Sequence, residues 1–177
     1  MIAAILALSR GRSKLIAERL RPRGSLGRMV RKIYTFGPRV YTASMPSNTI
    51  TIPTRREKQV LDITDRVESC LAKSGVQDGL CNVLVLHTTA AITTGEAIEG
   101  TDEDLMETLE RMIPSIKFRH AHDPSHAPDH MISSIVGSSL TLPLRGGRLE
   151  LGTWQRVLLV ECNGPRDRSI VVTGIAG

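Results

Sequence analysis

Apolar and polar side chains alternate in two short segments near residue 50. The alternation runs through residues 49–52 and returns in residues 60–63, after a charged link at 55–58. Residues 81–86 then form a more continuous apolar run that ends at His87. A two-residue period indicates a strand with one buried face, and a short apolar run indicates a fully buried strand. We therefore predict a hairpin from the first two segments and a buried strand that delivers His87 at its end.

Three further segments carry the signals of short helices. Thr64 precedes apolar residues at helical spacing and Gly75 follows them, so we predict a helix that Thr64 caps and Gly75 ends. Residues 101–104 combine a threonine with three acids, which predicts a capped helix start, and Pro114 ends that helix. A third helix is predicted over residues 130–136, after a loop rich in proline and histidine.

The last third of the chain is predicted to consist of strands joined by glycine-containing turns. The strands are residues 139–142, 149–151, 154–161 and 169–173, and the turns are residues 145–148 and 163–165. Strands outnumber helices, and the strand–helix–strand repeat of a parallel sheet is absent from the pattern. The predicted fold class is α+β, with a mainly antiparallel β-sheet or sandwich and two or three short helices.

Charge divides the chain into two parts. The 177 residues carry a net charge of +5, but residues 1–33 alone carry +8 and the remainder carries −3. We expect residues 1–44 to be a basic extension, either a disordered tail or a misassigned start before Met29 or Met45. An organellar presequence is the alternative, because the segment is rich in arginine and poor in acids. Residues 45–177 are expected to form one domain.

Composition excludes several classes of protein. Aromatic residues make up only 3% of the chain, which argues against a nucleic-acid reader built from stacked rings. The longest apolar run, residues 1–8, is too short to cross a membrane. Three scattered cysteines, Cys70, Cys81 and Cys162, indicate reduced and buried thiols. We therefore expect a cytoplasmic protein with no membrane partner and no specific nucleic-acid partner.

Histidines mark the segment where chemistry is expected. All five lie between residues 87 and 130, at positions 87, 120, 122, 126 and 130. Histidine supplies acid–base groups near neutral pH and is the commonest metal ligand. Their spacing matches no zinc signature, and His122 and His126 are expected to be solvated loop residues. His87 differs, because a polar residue that closes an apolar strand lies where a sheet opens onto a cleft.

Four threonines follow His87 within residues 88–94. Hydroxyls and free backbone N–H groups suit an oxyanion or a phosphate. The same threonines would also fill an alternating strand, because threonine favours strands. Composition alone does not favour anion binding over strand formation for these threonines.

Several ordered motifs closely resemble those of the YjbQ family, the UPF0047 group. The strongest are Ser-Ser-Leu-Thr-Leu-Pro-Leu at 138–144 and Leu-Glu-Leu-Gly-Thr-Trp-Gln at 149–155. The others are His-Thr-Thr-Ala at 87–90, Glu96, Phe-Arg-His at 118–120, His130 at the start of a helix, and Gly-Pro-Arg at 164–166. The resemblance runs from about residue 48 to residue 173 and leaves out residues 1–44.

The resemblance implies a compact α+β domain that assembles as a homotrimer, with sites near subunit boundaries. Members of the family have been called secondary thiamine-phosphate synthases, because they show that activity weakly. Four residues are implied as catalytic: His87, Glu96, His120 and His130. Contacts to substrate or phosphate are expected from Thr88, Thr89, Ser138, Gln155 and Arg166. The function expected on this basis is transfer chemistry on small phosphorylated molecules.

A second function remains open at this point. His87, His120 and His130 could instead bind a divalent metal such as Zn or Mg, because three imidazoles and a water form an open tetrahedral site. The trimer would then be a hydrolytic or non-catalytic module that binds a metal or an anion. Trp154 is expected in the core or in a subunit interface, and Gln155 on the opposite face of its strand.

Overall fold

The structure, a computed structural model, describes residues 46–177. This part of the chain forms eight β-strands and three α-helices. The strands are β1 (Ser47–Pro53), β2 (Gln59–Asp62), β3 (Gly79–Val85), β4 (Ala90–Gly95), β5 (Ser139–Arg145), β6 (Arg148–Leu149), β7 (Arg156–Glu161) and β8 (Asp167–Ala176). The helices are α1 (Thr64–Ala72), α2 (Thr101–Met112) and α3 (Ala127–Val136). The extension predicted for residues 1–44 lies outside the described residues.

Two antiparallel sheets pack face to face and enclose the main core. The large sheet has the order β1-β8-β3-β5-β6, and the small sheet has the order β2-β7-β4. Val83 and Ile170 of the large sheet share one buried cluster with Leu159 of the small sheet, and Val67 and Leu71 of α1 join the same cluster. The predicted α+β class, mainly antiparallel with short helices, is confirmed.

Helices α2 and α3 cover the other face of the small sheet. Met106 and Leu109 of α2 and Ile132 of α3 pack against Leu158 and Val160. Strand β7 is therefore covered on both faces, and five of its six residues are buried. Within residues 46–177, no helix has the length and apolar character that crossing a lipid bilayer would need.

The hairpin predicted from the first two alternating segments is wrong. β1 pairs with β8, with Ile52 opposite Arg168, whereas β2 pairs with β7, with Val60 opposite Val160. The charged link at residues 55–58 therefore connects two different sheets. Alternation indicates which face of a strand is buried, but it carries no information about the partner strand. The hairpin predicted around residues 145–148 is confirmed, since β5 pairs with β6.

The helix starts differ from the predicted caps. Thr64 is the first residue of α1 and does not cap it, because its hydroxyl accepts a hydrogen bond from Val157 N–H at 2.9 Å. α2 follows Gly100 without a side-chain cap, although its first turn is acidic as predicted. α3 begins at Ala127, three residues earlier than predicted, because Pro128 fits the first turn of a helix.

The cysteine prediction is confirmed and the core prediction for Trp154 is wrong. The three cysteines are buried and unpaired by disulfides. Trp154 is 66% exposed in this chain, because it lies in the loop before β7 rather than within a strand. Its expected place in a subunit interface stays a prediction.

Candidate functional site

An open cleft of about 600 Å³ lies where strand β3 ends beside helix α3. The chain leaves β3 after Val85, so His87 and Thr88 form one wall of the cleft. His130 lies in the first part of α3 and lines the same cleft. The remaining lining residues are Val85, Leu86, Ser133, Ser134, Gly137 and Ser138. The fold thus brings together two histidines that are more than 40 residues apart in sequence.

His87 is held by the backbone of strand β8. Ser169 donates its backbone N–H to Nε2 of His87 at 3.0 Å. An acceptor nitrogen carries no proton, so the neutral ring holds its proton on Nδ1. The side chain therefore has a fixed tautomer and offers one N–H donor.

Burial is the main cause that lowers the pKa of His87 below its ordinary value of 6.5. The positive charges of Arg168 and Arg166 lower the pKa further, whereas the Glu161 carboxylate opposes them. His87 is consequently a neutral hydrogen-bond donor near pH 7.

His130 forms a stacked pair with His120, which does not itself line the cleft. Their ring centroids lie 4.9 Å apart, with 21° between the ring planes. The Nδ1 atom of His130 lies 3.1 Å from the carbonyl oxygen of Thr88, which can only accept. His130 therefore donates from Nδ1 and keeps the lone pair of Nε2 available. In contrast, Nδ1 of His120 accepts the backbone N–H of Asp123 at 3.1 Å, which leaves the proton of the neutral ring on Nε2.

A buried ion pair fixes the loop that carries His87. Arg168 is 1% exposed and Glu161 is fully buried. Nε of Arg168 donates to Glu161 at 2.6 Å, and Nη2 donates to the carbonyl and hydroxyl oxygens of Thr89 at 3.1 and 3.0 Å. Thr54 completes the group by donating its hydroxyl to Glu161 at 3.0 Å. Arg168 thereby ties strands β7 and β8 to the loop directly after His87.

A second charged group lies beside the first. Lys58, from the link between β1 and β2, donates to the carboxylate of Asp129 and to the carbonyl oxygen of Cys162. Asp129 is only 5% exposed and directly precedes His130 in α3. The Nδ2 atom of Asn163 donates to the second oxygen of Asp129 at 3.0 Å, and Arg166 donates to Oδ1 of Asn163. These contacts connect the start of α3 to the turn between β7 and β8.

The turn between β7 and β8 requires glycine at position 164. A Cβ atom there would lie 2.3 Å from the carbonyl oxygen of Arg56 and 2.9 Å from the hydroxyl of Thr54. This close approach places Asn163 and Arg166 against the segment that carries Lys58. The Gly-Pro-Arg motif thus has two roles: Gly164 permits the close packing, and Arg166 supplies a positive charge.

The structure separates the remaining predicted site residues. Thr88 and Ser138 line the cleft, whereas the hydroxyl of Thr89 is occupied by Arg168. Glu96 lies just beyond the far end of β4 and lines a different pocket of about 290 Å³. Gln155 is exposed and accepts the backbone N–H of Gly152 at 2.9 Å. Within one chain, neither Glu96 nor Gln155 lines the histidine cleft.

Sequence reasoning missed Lys58 and Arg168. A signal for Arg168 existed, because it shares the two-residue period of the buried Ile170 and Val172 and so falls on the inner face of its strand. An arginine at such a position requires a buried partner. Lys58 carried no such signal, since it lies in a charged link whose path between the two sheets was not predicted.

The possible metal ligands in the described part of one chain do not form a three-histidine site. Among the described residues, no group of three histidine, cysteine or acidic side chains is arranged to hold a metal ion. Nε2 of His87 is already occupied by Ser169 N–H. The expected divalent metal therefore stays a prediction that metal analysis of the purified protein can test.

Comparisons with known proteins agree on one family. The family model described as "UPF0047 protein YjbQ-like" matches residues 48–177. A UPF0047 protein of Archaeoglobus fulgidus is 37% identical over 127 residues, which cover 71% of this chain and 98% of the relative. A UPF0047 protein of Mycobacterium tuberculosis is 40% identical over 130 residues, which cover 72% and 95%.

Solved structures that resemble this chain include a protein of the same family. A crystal structure of a "YbjQ-like protein of unknown function" from Sulfolobus solfataricus has a TM-score of 0.70 at 35% identity, and it covers 75% of this chain and 98% of that chain. A hypothetical protein of Aeropyrum pernix has a TM-score of 0.69 at 40% identity, with 75% and 99% covered.

Proposed function

The chain belongs to the UPF0047 (YjbQ-like) family, and from this premise we propose an enzyme that binds small phosphorylated molecules in the histidine cleft. The observation that carries the proposal is that His87 and His130 line one cleft and that hydrogen bonds to the backbone fix their tautomers. His87 offers a neutral N–H donor, and His130 offers the lone pair of Nε2. An N–H donor of this kind suits an oxygen of a phosphate group.

The charges near the cleft support an anionic ligand. Arg166 and Arg168 both lower the pKa of His87, so their positive charge reaches the cleft. Glu161 compensates Arg168, whereas Arg166 is exposed. Thr88 and Ser138 add hydroxyls at the wall of the cleft. A phosphate or a pyrophosphate is the ligand class that these groups fit best.

The reaction proposed from the family is transfer of the thiamine-phosphate synthase type. A nitrogen of a thiazole phosphate forms a bond to the methylene carbon of a pyrimidine diphosphate. The carbon–oxygen bond to the diphosphate breaks, and pyrophosphate leaves with the electron pair. This chemistry needs positioning and stabilisation of the leaving group more than a covalent catalyst. The N–H donor of His87 and the charge of Arg166 would supply that stabilisation.

The open cleft and the position of Glu96 fit a site shared between subunits. Leu86, which lines the cleft, and Ile135 of α3 are both more than half exposed. Exposed apolar side chains of this kind are common at protein interfaces. In the homotrimer expected for the family, Glu96 of one subunit would complete the histidine cleft of its neighbour.

The proposal is tested by transfer kinetics together with binding of inorganic pyrophosphate. We expect His130→Ala to lower kcat by about 100-fold or more, because it removes the cleft's free imidazole nitrogen. Arg166→Ala is expected to raise KM for the diphosphate and to lower kcat, because its charge would act on both the bound diphosphate and the leaving pyrophosphate. His122→Ala is the control, since His122 lies exposed in a loop. Failure of the unaltered protein to bind pyrophosphate, or full activity in His130→Ala, would contradict the proposal.

A further inference from the structure

Asn163 joins the two charged groups beside the cleft. Its backbone N–H donates to Glu161 at 2.7 Å, and its Nδ2 donates to Asp129 at 3.0 Å. Its Oδ1 accepts from the guanidinium of Arg166. A carboxylate can only accept and a guanidinium can only donate, so these partners fix the orientation of the amide. One neutral side chain thus lies between a buried carboxylate and an exposed arginine.

The charges around Asn163 do not cancel. Glu161 is the ion-pair partner of Arg168, and Asp129 is the partner of Lys58. Among residues 46–177, Arg166 forms an ion pair with no carboxylate, and its side chain is held by the neutral oxygen of Asn163. The five charged residues together carry a surplus of one positive charge, and that charge lies on Arg166.

The surplus charge lies beside the cleft although Arg166 does not line it, because Asn163 connects Arg166 to Asp129, the residue directly before His130 of the cleft wall. The charge of Arg166 lowers the pKa of His87, which lines the cleft wall. A carboxylate in place of the Asn163 amide would have two effects. It would neutralise Arg166, and it would face the Asp129 carboxylate across the 3.0 Å that a hydrogen bond now spans.

We propose that Asn163 determines the selectivity of the cleft for multiply charged anions such as pyrophosphate and phosphate monoesters. Its amide positions Arg166 without neutralising it, so the arginine keeps its full charge for the ligand. A singly charged carboxylate ligand gains less from that charge than a phosphate with two negative charges. This inference rests on the proposed function and adds the residue that sets the ligand class.

The test is the isosteric substitution Asn163→Asp. We expect affinity for inorganic pyrophosphate, measured by calorimetry, to fall by about tenfold, with a smaller loss for acetate. We also expect the pKa of His87, followed by NMR of its imidazole, to rise. Gln77→Glu is the matched control, because it adds the same negative charge at an exposed position before β3, at the strand end opposite His87. It should change neither quantity.

A charge swap keeps the test decisive if Asn163→Asp folds poorly. The double variant Asn163→Asp with Asp129→Asn retains an amide–carboxylate pair at these positions and the original net charge, but it places the carboxylate beside Arg166. We expect this variant to fold and to bind pyrophosphate weakly. Affinity equal to that of the unaltered protein in the swap variant would overturn the inference, because net charge rather than the free Arg166 would then control binding.

The proposed function and this inference fail in different ways. Absence of pyrophosphate binding by the unaltered protein would contradict the proposed function. The titration of His87 needs no ligand, so it still tests whether Asn163 leaves the charge of Arg166 uncompensated. An unchanged pKa of His87 in a folded Asn163→Asp protein would overturn the inference by itself.

Discussion

The free energy of unfolding depends on pH through His87. Burial and two arginines hold its folded pKa below 6.5, so the folded state binds this proton less readily than the unfolded state. The resulting stability is complete above about pH 6.5 and is lost as the pH falls below that value. We expect the free energy of unfolding to fall as the pH drops below about 6.5.

His87→Gln provides the comparison, because glutamine can accept the Ser169 N–H bond but does not titrate. Its stability should vary less over the same pH interval in urea unfolding experiments. His122→Gln should follow the unaltered protein, since that side chain is exposed. Equal pH dependence in the unaltered protein and in His87→Gln would show that His87 titrates normally.

Arg168 and Glu161 form the most deeply buried charged pair of the described residues. Removing one partner leaves an uncompensated charge in the core, which costs about 3–5 kcal/mol. We expect Arg168→Met to lower the free energy of unfolding by about that amount in denaturant titrations. The double variant with Glu161→Gln should regain part of the loss. A loss below about 1 kcal/mol in Arg168→Met would contradict this assignment.

All three thiols are buried in the core and shielded from solvent. Burial raises the pKa of Cys81 on β3 to about 11 and that of Cys162, just after β7, to about 12. Thiolates are the reactive form, so we expect a disulfide reagent at about pH 8 to leave the native protein unlabelled. Unfolding in denaturant should release three reactive thiols per chain. Fast labelling of the native state would indicate that these strands open locally.

The same thiols make the stability of the folded protein fall in the alkaline range. Their folded pKa values lie above the ordinary value of 9.0, so the folded state keeps protons that the unfolded state loses. This contribution is complete below pH 9 and is lost as the pH rises through the folded values.

The elements could be predicted from local patterns, but their pairing could not. Periodicity identified β1, β2 and α2, because it reports which side of an element is buried. The partners β8 and β7 lie about 100 residues further along the chain, and nothing in a local pattern encodes them. The hairpin of β5 and β6 was predictable, since its turn is local in sequence.

The candidate site was predictable only in part for a related reason. His87 and His130 were identified by motif, and the structure places them in one cleft. Asn163 and Lys58 act through side-chain contacts that join three separate segments. Such contacts depend on the approach of backbone segments, as at Gly164, and a sequence pattern does not report that approach.

At the scale of the whole molecule, the expected homotrimer allows a test of whether Glu96 completes the cleft of a neighbouring subunit. We expect Glu96→Ala and His130→Ala each to lose transfer activity, because each removes one part of a shared site. When the two variants are refolded together, mixed trimers should regain about a quarter of the intact sites. Refolding either variant alone is the control. Activity that does not return in the mixture would place Glu96 outside the site, and a monomer in light scattering would remove the basis of the proposal.

The position of β8 in the large sheet has a consequence for synthesis of the chain. β8 is the last element, yet it lies between β1 and β3 and pairs with both. During translation, β1 and β3 leave the ribosome long before the strand that joins them exists. Folding that depends on such distant partners is slow and leaves apolar strands open to aggregation. The large sheet therefore closes only once β8 has cleared the exit tunnel and can pair with both of its neighbours.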